Sequence, residues 1–329
     1  MKLLRNFPYL LTGISIAAVM VITACNSARS EQSLSQGEYE QLNEAEKLKV
    51  VATTTIVADV VNRIGGETIE LSVLLPPGTD PHTFDPTPQD IAKVFDADVL
   101  FANGAGLEEF LGPLIESAGA EGKVIHVSEG IVLLQVDAKY EDNSAEQTGD
   151  IHNEGADPHT WTDPNNVLTW VNNIQHTLSR LDPDNATLYE NNSEEFKGEL
   201  KALNIWIEEQ VDQIPPASRQ IITDHLQFGY FAEAYGFRQL GAIIPGSSTI
   251  AEPSAQELAA LEDAIKEHGV QAIFVGNTIN PNLAERIAED TGTRIVFLYT
   301  GSLTEEGGEA DTYLDYIRYN VSAIVNALK

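Results

Sequence analysis

Residues 184–213 read DNATLYENNSEEFKGELKALNIWIEEQVDQ, and this segment sets the architecture that the rest of the chain follows. It contains no proline and one glycine, Gly198, and it stops before Pro215 and Pro216. Apolar residues recur along it at helical spacing, at Leu188, Phe196, Leu200, Leu203, Ile207 and Val211. At 1.5 Å per residue, a helix of this length is about 45 Å long, enough to run along two lobes. We therefore predict a rigid linker helix over 183–214.

On both sides of this helix, short β-rich runs alternate with helical patterns, which is typical of βαβ units and a mainly parallel sheet. Before the linker, the predicted strands are 49–54, 68–75, 98–102 and 123–126, and the predicted helices are 56–64, 88–95, 108–117 and 165–180. After it, the predicted strands are 220–223, 239–244, 270–275 and 294–298, and the predicted helices are 229–235, 254–268, 282–291 and 313–328. The predicted fold class is α/β, with two lobes that each hold a mainly parallel four-stranded sheet.

The N-terminal segment has the features of a secretory signal. Lys2 and Arg5 precede an apolar stretch over 7–24, which is too short for a good membrane span and ends in small residues before Cys25. The sequence Ile-Thr-Ala-Cys at 22–25 resembles the bacterial lipobox, in which the cysteine is lipidated. An ordinary signal peptide with an incidental cysteine is the alternative. The chain has one cysteine, so the mature protein has no internal disulfide and no thiolate metal ligand.

Composition and charge indicate how the rest of the chain is divided and which ligands it does not bind. The polar residues after Cys25 indicate a flexible stalk, and the length that remains is enough for two lobes with their own cores. The formal charge of −31 argues against binding nucleic acid or anionic lipid head groups, and it is compatible with attracting cations. The predicted divisions are a signal peptide (1–24), a lipid-anchored stalk (25–47), an N-terminal lobe (48–182), the linker helix (183–214) and a C-terminal lobe (215–329).

Three of the seven histidines stand where a ligand site is expected. His82 follows the second predicted strand, in PPGTDPHTFDP at 76–86, and His225 follows the first strand after the linker. Ligands of open α/β sheets bind beyond the carboxyl ends of the strands, so these two residues come from matching ends of the two lobes. His159, in DPHTWTDP at 157–164, begins the segment that leads to the linker. Together they predict a site between the lobes.

The chemistry of imidazole suits such a site. It is a good ligand for zinc, copper, iron and nickel, whereas manganese favours more carboxylate. Each ligating ring usually donates its other N–H to an acceptor, and the nearby Asp80, Asp157 and Asp224 are candidates for that role. The three histidines are 77 and 66 residues apart, and a lone histidine beside a proline-rich turn is more often a surface residue. Spacing alone therefore leaves a metal site and unrelated turn residues both open.

Four motifs in a fixed order give the chain a resemblance to a known family. They are PPGTDPHTFDPTPQD with the later NGAGLE within 76–111, DPHTW at 157–161, HLQFGYF at 225–231, and IAEPSAQEL from residue 250. From Val50 to its C-terminal helix, the chain resembles the cluster A-I metal-binding lipoproteins, which are the zinc and manganese solute-binding proteins of ABC importers. The resemblance implies two α/β lobes bridged by a long helix, with a small lobe movement on metal binding.

By this resemblance His82, His159 and His225 are the first three metal ligands. Histidine at the third place resembles the zinc branch of the family, because the manganese branch typically carries glutamate there. His126, His176 and His268 match no ligand motif, and we interpret them as structural or surface residues. Trp161, Trp170 and Trp206 are interpreted as packing residues and not as ligand contacts.

The fourth ligand is where the sequence departs from the family pattern. Manganese proteins and some zinc proteins supply an aspartate just after the last strand, and Gly301 stands at that place here. Zinc tolerates an open position filled by water, so the glycine favours Zn²⁺ over Mn²⁺. The segment 139–157, where zinc-branch relatives carry a histidine-rich loop, is acidic and is interpreted as a solvated loop. The fourth ligand is left open among water, Glu305, Glu306 and His152.

The resemblance implies a binding protein without catalysis. It captures a divalent transition metal, with zinc favoured, and delivers it to the permease and ATPase of an ABC importer. We expect a monomer outside the cytoplasm, held at a membrane by lipid on Cys25. The alternatives are a manganese-binding homologue, an adhesin or siderophore-binding relative of the same fold, and a zinc hydrolase. Against the hydrolase, the sequence has no His-Glu-x-x-His pair and no carboxylate clearly placed as a general base.

Overall fold

A computed structural model describes residues 47–136 and 155–329 of the chain. The N-terminal lobe contains a sheet of four parallel strands in the order β2-β1-β3-β4. Alternate residues of β1 face opposite sides, because Val50 and Ala52 lie in one hydrophobic cluster and Val51 lies in another. Helices therefore cover both faces of this sheet. Its elements are β1 (Leu48–Ala52), α1 (Thr55–Gly65), β2 (Ile69–Val73), α2 (Pro88–Asp96), β3 (Val99–Ala102), α3 (Leu111–Ala118) and β4 (Val124–His126).

The C-terminal lobe repeats this arrangement with a second parallel sheet, in the order β6-β5-β7-β8. Its strands are also buried on two faces, since Ile221 and Ile222 of β5 belong to different clusters. Two four-stranded parallel sheets confirm the predicted fold class. The elements are β5 (Gln220–Thr223), α6 (Gly229–Tyr235), β6 (Arg238–Ala242), α7 (Ala255–His268), β7 (Ala272–Gly276), α8 (Asn282–Thr291), β8 (Arg294–Leu298) and α9 (Tyr313–Leu328).

Two long helices, α4 (Pro164–Leu181) and α5 (Ala186–Val211), connect the lobes. The buried side of α5 packs on α4, on α1 of the N-terminal lobe and on α9, which itself packs on the C-terminal sheet. Helix α5 is three residues shorter at each end than the predicted 183–214. Residues Pro183–Asn185 form a separate 3-10 turn, which begins at the proline.

One hydrophobic core runs through both lobes. A single cluster contains Val50 of β1, Leu200 of α5, Phe274 of β7 and Val321 of α9. The smaller clusters lie on the outer face of each sheet. Because side chains in a core are close-packed, this continuity opposes large changes in the angle between the lobes.

The helices of the described ranges combine a buried apolar stripe with exposed polar positions. On α5 the stripe contains Tyr189, Phe196, Leu200, Leu203 and Ile207, at spacings of one or two helical turns. Between 47 and 136 and between 155 and 329, we find no helix with both the length and the apolar character needed to cross a bilayer.

Helix α3 begins at Leu111 and not at the predicted residue 108, because Glu108 is held in the turn that precedes the helix. The buried Glu108 carboxylate accepts the backbone N–H groups of Asn103 and Gly104 and the hydroxyl of Thr53, at 2.7–3.0 Å. Residues 104–106 have φ values of 79°, 55° and 88°, which a right-handed helix does not allow. The carboxylate therefore holds this segment as a turn that follows β3.

Asp59 links α1 to the first residue of α9. Its Oδ2 accepts the backbone N–H of Tyr313 at 2.9 Å. Burial raises the pKa of this carboxyl from 3.8 to about 6, although the Tyr313 hydrogen bond and the charge of Arg63 oppose the change. Between pH 4 and 6 the folded state thus binds more protons at this group than the unfolded chain does. The ionised carboxylate therefore disfavours folding above pH 6, and this cost disappears as the pH falls towards 4.

We expect Asp59→Asn to raise the free energy of unfolding of the metal-free protein at pH 7.5 by about 2 kcal/mol. The amide oxygen still accepts the Tyr313 N–H, whereas the half-buried charge is removed. Denaturant unfolding at pH 7.5 and pH 4 measures the effect, and the difference from the wild type should vanish at pH 4. Asp263→Asn, at an exposed position on α7, is the control. A stabilisation that is the same at both pH values would contradict this account of Asp59.

Candidate metal centre

His82, His159 and His225 reach one point between the lobes from three different segments. His82 lies in the loop between β2 and α2, and His225 is the second residue after β5. His159 immediately precedes the 3-10 turn Thr160–Thr162, which leads into α4. The three side chains are 7%, 1% and 3% exposed, respectively. The carboxyl ends of one strand from each lobe therefore meet at this cluster.

The imidazole nitrogens of the three histidines face one another. Nε2 of His159 lies 3.3 Å from Nε2 of His82 and 3.2 Å from Nε2 of His225. With Zn–N bonds of 2.0–2.1 Å, a tetrahedral zinc site separates its nitrogen ligands by about 3.3–3.4 Å. Among the described His, Cys, Asp and Glu residues, these three form the one group whose ligand atoms all lie within 4.8 Å of one another.

Two aspartates fix the orientation of two of the rings. Nδ1 of His159 lies 2.8 Å from Asp157 Oδ1, and Nδ1 of His225 lies 2.7 Å from Asp224 Oδ1. A carboxylate only accepts hydrogen bonds, so Nδ1 carries a proton in both rings, and in the neutral form of each ring Nε2 presents a lone pair. Two lone pairs 3.2 Å apart repel each other, and a cation bound between them removes that repulsion. The arrangement suits a metal ligand pair supported by acceptors behind it.

The Asp224 carboxylate is itself held from several sides. Oδ1 also accepts the His225 backbone N–H at 2.6 Å and the Gln227 side-chain amide at 2.7 Å, and Oδ2 accepts the Gly276 backbone N–H from the end of β7. The neighbouring strand therefore fixes the acceptor that orients the His225 ring. Gln227 was not predicted, since nothing in its sequence position distinguishes it from a core residue.

Asp80, the third predicted acceptor, makes different contacts. Its Oδ1 accepts the backbone N–H of His82 at 3.0 Å, and its Oδ2 accepts the hydroxyl of Thr249 at 2.6 Å. Among the contacts of the described residues, the His82 ring has no carboxylate behind it. Asp80 thus holds the backbone of His82 and not its ring.

Burial favours the neutral, metal-binding form of His82 and His159. It lowers the pKa of His82 well below its usual 6.5, and the neighbouring histidines lower it further. Burial also lowers the pKa of His159, although Asp157 opposes the change. Both imidazoles are therefore neutral at pH 7, as metal ligands must be.

The pocket around the cluster is lined by Asp80 and by uncharged groups that include Gln227, Thr278 and Gly301. A Cβ atom on Gly301 would lie 2.8 Å from Cδ of Pro81 and 3.8 Å from the hydroxyl of Thr278. Glu305 and Glu306 are exposed and are not part of the histidine cluster. His152 lies outside the described residues, as does segment 139–154. No described carboxylate therefore joins the three imidazoles.

Trp161 borders the site and contributes to its shape. Its ring packs edge-on against His159, with centroids 5.1 Å apart, and its indole N–H donates to the Tyr316 hydroxyl. His126, His176 and His268 lie outside the cluster, His126 and His176 on exposed positions. The predicted packing role of Trp161 thus includes support for one of the histidine rings.

Comparison with known proteins gives close relatives over most of the chain. The family described as "ZnuA: Zinc-uptake complex component A periplasmic" matches residues 50–327. The chain is 34% identical over 286 residues to the manganese-binding lipoprotein MntA of Halalkalibacterium halodurans, covering 87% of this chain and 90% of MntA. It is 30% identical over 318 residues to the manganese ABC transporter substrate-binding lipoprotein PsaA of Streptococcus mitis, covering 94% and 96%.

Solved structures agree with these relatives. The periplasmic zinc-binding protein TroA of Treponema pallidum superposes with a TM-score of 0.75 at 26% identity, covering 86% of this chain and 99% of TroA. A manganese-bound periplasmic metal-binding protein of Candidatus Liberibacter asiaticus gives a TM-score of 0.73 at 25% identity, covering 86% and 100%. The two-lobed fold is thus shared with solved structures of metal-binding proteins.

Proposed function

The chain belongs to the ZnuA family of metal-uptake components, and from this premise we propose that it captures zinc through His82, His159 and His225. Like these relatives, it is a substrate-binding protein of a metal ABC transporter, and it is not an enzyme. It therefore binds a divalent metal outside the cytoplasm and works with an ABC permease and its ATPase. Beyond this family role, we propose that zinc is the metal and that the three histidines are its ligands.

The observation that carries the choice of zinc is that no described carboxylate joins the three imidazole nitrogens, and that Gly301 offers no ligand atom from its side chain. Three imidazole ligands suit zinc, whereas manganese prefers hard oxygen ligands such as carboxylates. Of the candidates for the fourth ligand, water is the one we propose, because zinc accepts three protein ligands and a water. Glu305 and Glu306 require their loop to turn inward from exposed positions.

Manganese is the second candidate, and the names of the relatives favour it. MntA and PsaA are both named for manganese, although TroA is named for zinc. The relatives are also named as lipoproteins, which supports Cys25 as the site of lipid attachment. We further propose that the protein acts as a monomer, because one chain supplies all three histidines.

Titration of the metal-free mature protein with Zn²⁺ and with Mn²⁺ tests the choice of metal. Competition against chelators of known affinity gives both dissociation constants. We expect zinc to bind more tightly than manganese by at least about tenfold, which is a difference of 1.4 kcal/mol in binding free energy. Equal affinities, or tighter binding of manganese, would replace zinc by the second candidate.

We expect Gly301→Asp to lower the ratio of zinc affinity to manganese affinity by about tenfold, which corresponds to 1.4 kcal/mol. The new carboxylate supplies the hard oxygen ligand that manganese prefers, once Pro81 shifts to admit the side chain. Gly301→Asn is the matched control, because it adds nearly the same bulk without the charge. If the two variants change the ratio equally, bulk and not the carboxylate is responsible. An unchanged ratio in Gly301→Asp shows that residue 301 does not face the metal.

A further inference from the structure

The loop that carries His82 touches the opposite lobe at two points. The backbone N–H of Gly78 donates to Oγ of Ser302 at 2.8 Å. Oδ2 of Asp80 accepts the hydroxyl of Thr249 at 2.6 Å. Ser302 follows β8, and Thr249 lies between β6 and α7, so both partners belong to the C-terminal lobe. We call these two hydrogen bonds the inter-lobe clamp.

The Thr249 half of the clamp acts on His82 through the carboxylate of Asp80. The two oxygens of Asp80 are divided between the lobes, since Oδ1 accepts the His82 backbone N–H and Oδ2 accepts the Thr249 hydroxyl. One carboxylate thus ties the backbone of His82 to the C-terminal lobe. A hydrogen bond to a charged group contributes more than one between neutral groups. Asp80 and Thr249 are half-buried, so solvent reduces this contribution without removing it.

The Ser302 half is fixed more deeply in the structure. The buried Ser302 hydroxyl donates to the Leu303 carbonyl at 2.9 Å and lies 3.2 Å from the hydroxyl of Thr55, at the start of α1. The Thr55 hydroxyl in turn accepts the Leu303 backbone N–H at 2.9 Å. These contacts hold the segment after β8 against the N-terminal lobe. The Gly78–Ser302 hydrogen bond is therefore held in place unless the lobes separate. The Asp80–Thr249 hydrogen bond has fewer supporting contacts and can break more easily.

His82 differs from the other two histidines in how it is held. Aspartates behind the rings orient His159 and His225, whereas the described contacts of His82 place no carboxylate behind its ring. His82 is also the most exposed of the three. It is therefore the ligand with the least to restrain it when metal leaves.

We propose that Thr249 is a positioning residue that slows metal release by holding Asp80, and through it His82, in the cluster. This inference rests on the proposed function, since it assigns a role in retaining the metal that the three histidines bind. For metal to leave through the cleft, the His82 loop must move away from the C-terminal lobe, and the Asp80–Thr249 hydrogen bond must break. Without the Thr249 hydroxyl, this hydrogen bond is absent and the loop moves away more easily. The dissociation rate should therefore rise, whereas the association rate stays nearly constant.

Zinc dissociation from the loaded mature protein, followed after mixing with excess chelator, tests the proposal. We expect Thr249→Val to release zinc about tenfold faster than the wild type, as loss of one hydrogen bond to a charged group implies. Thr249→Ser retains a hydroxyl and should release zinc at nearly the wild-type rate. Ser248→Ala is the control in the same loop, because Ser248 bonds only the backbone N–H of Ile250.

A double-mutant cycle separates the clamp from a general loosening of the loop. Asp80→Asn keeps an oxygen for the His82 backbone N–H and weakens the bond to Thr249. If the two residues act together, the double variant releases zinc no faster than the faster single variant; if their effects multiply, the clamp is wrong. It is also wrong if Thr249→Val releases zinc at the wild-type rate, or if Thr249→Ser is as fast as Thr249→Val. A wild-type protein that retains no zinc at all would instead overturn the proposed function.

Discussion

Replacing His159 by alanine should lower the zinc affinity of the protein by more than about 100-fold, because even acceptors behind a metal ligand are worth 10- to 100-fold. His159 is the central member of the cluster, since its Nε2 lies within 3.3 Å of Nε2 of both His82 and His225. Its removal leaves two imidazoles on opposite lobes and no ligand between them. It also leaves the buried Asp157 carboxylate without the ring N–H that it accepts.

Competition between metal-free protein and a chromophoric chelator measures this change. His176→Ala is the matched control, because His176 is exposed on α4, only 17 residues along the chain, and is not part of the cluster. The control should bind zinc as the wild type does. Circular dichroism of the metal-free variants establishes that both are folded. A zinc affinity for His159→Ala within tenfold of the wild type would exclude the three-histidine site.

Zinc itself should have the second-largest effect, on the stability of the fold. A ligand that binds only the folded state raises the free energy of unfolding by about 4.1 kcal/mol when its free concentration is 1,000 times the dissociation constant. The unfolded chain has histidines that are 77 and 66 residues apart, so it offers no comparable site. We therefore expect the free energy of unfolding to rise by about 1.4 kcal/mol for each tenfold increase in free zinc above the dissociation constant.

Chemical denaturation in zinc buffers of known free concentration measures this slope. The His159→Ala variant is the control, and its stability should not change over the zinc range that stabilises the wild type. A wild-type stability that is independent of free zinc contradicts the binding claim. The same experiment in manganese buffers gives an independent comparison of the two metals, because a metal that binds more weakly stabilises only at higher concentration.

The bounds of several elements could be predicted from the chain alone, because local signals fix them. Strands β5 and β8 and helices α6, α8 and α9 begin and end where the pattern of apolar residues and breakers indicates. Helix α3 was predicted to begin too early, because the Glu108 carboxylate holds residues 103–104 in a turn. That effect depends on a long-range contact with Thr53 and on three positive φ angles, which apolar spacing does not reveal.

The candidate site shows the same division between local and long-range information. Parallel strands place their carboxyl ends at one edge of a sheet, so His82 and His225 could be expected near the cleft. The orienting roles of Asp157 and Asp224 follow from their closeness in sequence to the histidines. Asp80 was expected to play the same role, but it contacts Thr249, 169 residues away, and the His82 backbone. No pattern in the sequence joins residues so far apart.

The single core that extends through both lobes has a consequence for the lifetime of the protein. A shared cluster of buried residues joins the interiors of the two lobes, so we expect their unfolding to be coupled. Metal bound between the lobes lowers the population of the unfolded form. Proteases that cut unfolded segments therefore cleave the metal-loaded protein more slowly. We therefore expect the metal-free protein to be cleaved faster by proteases than the metal-loaded protein.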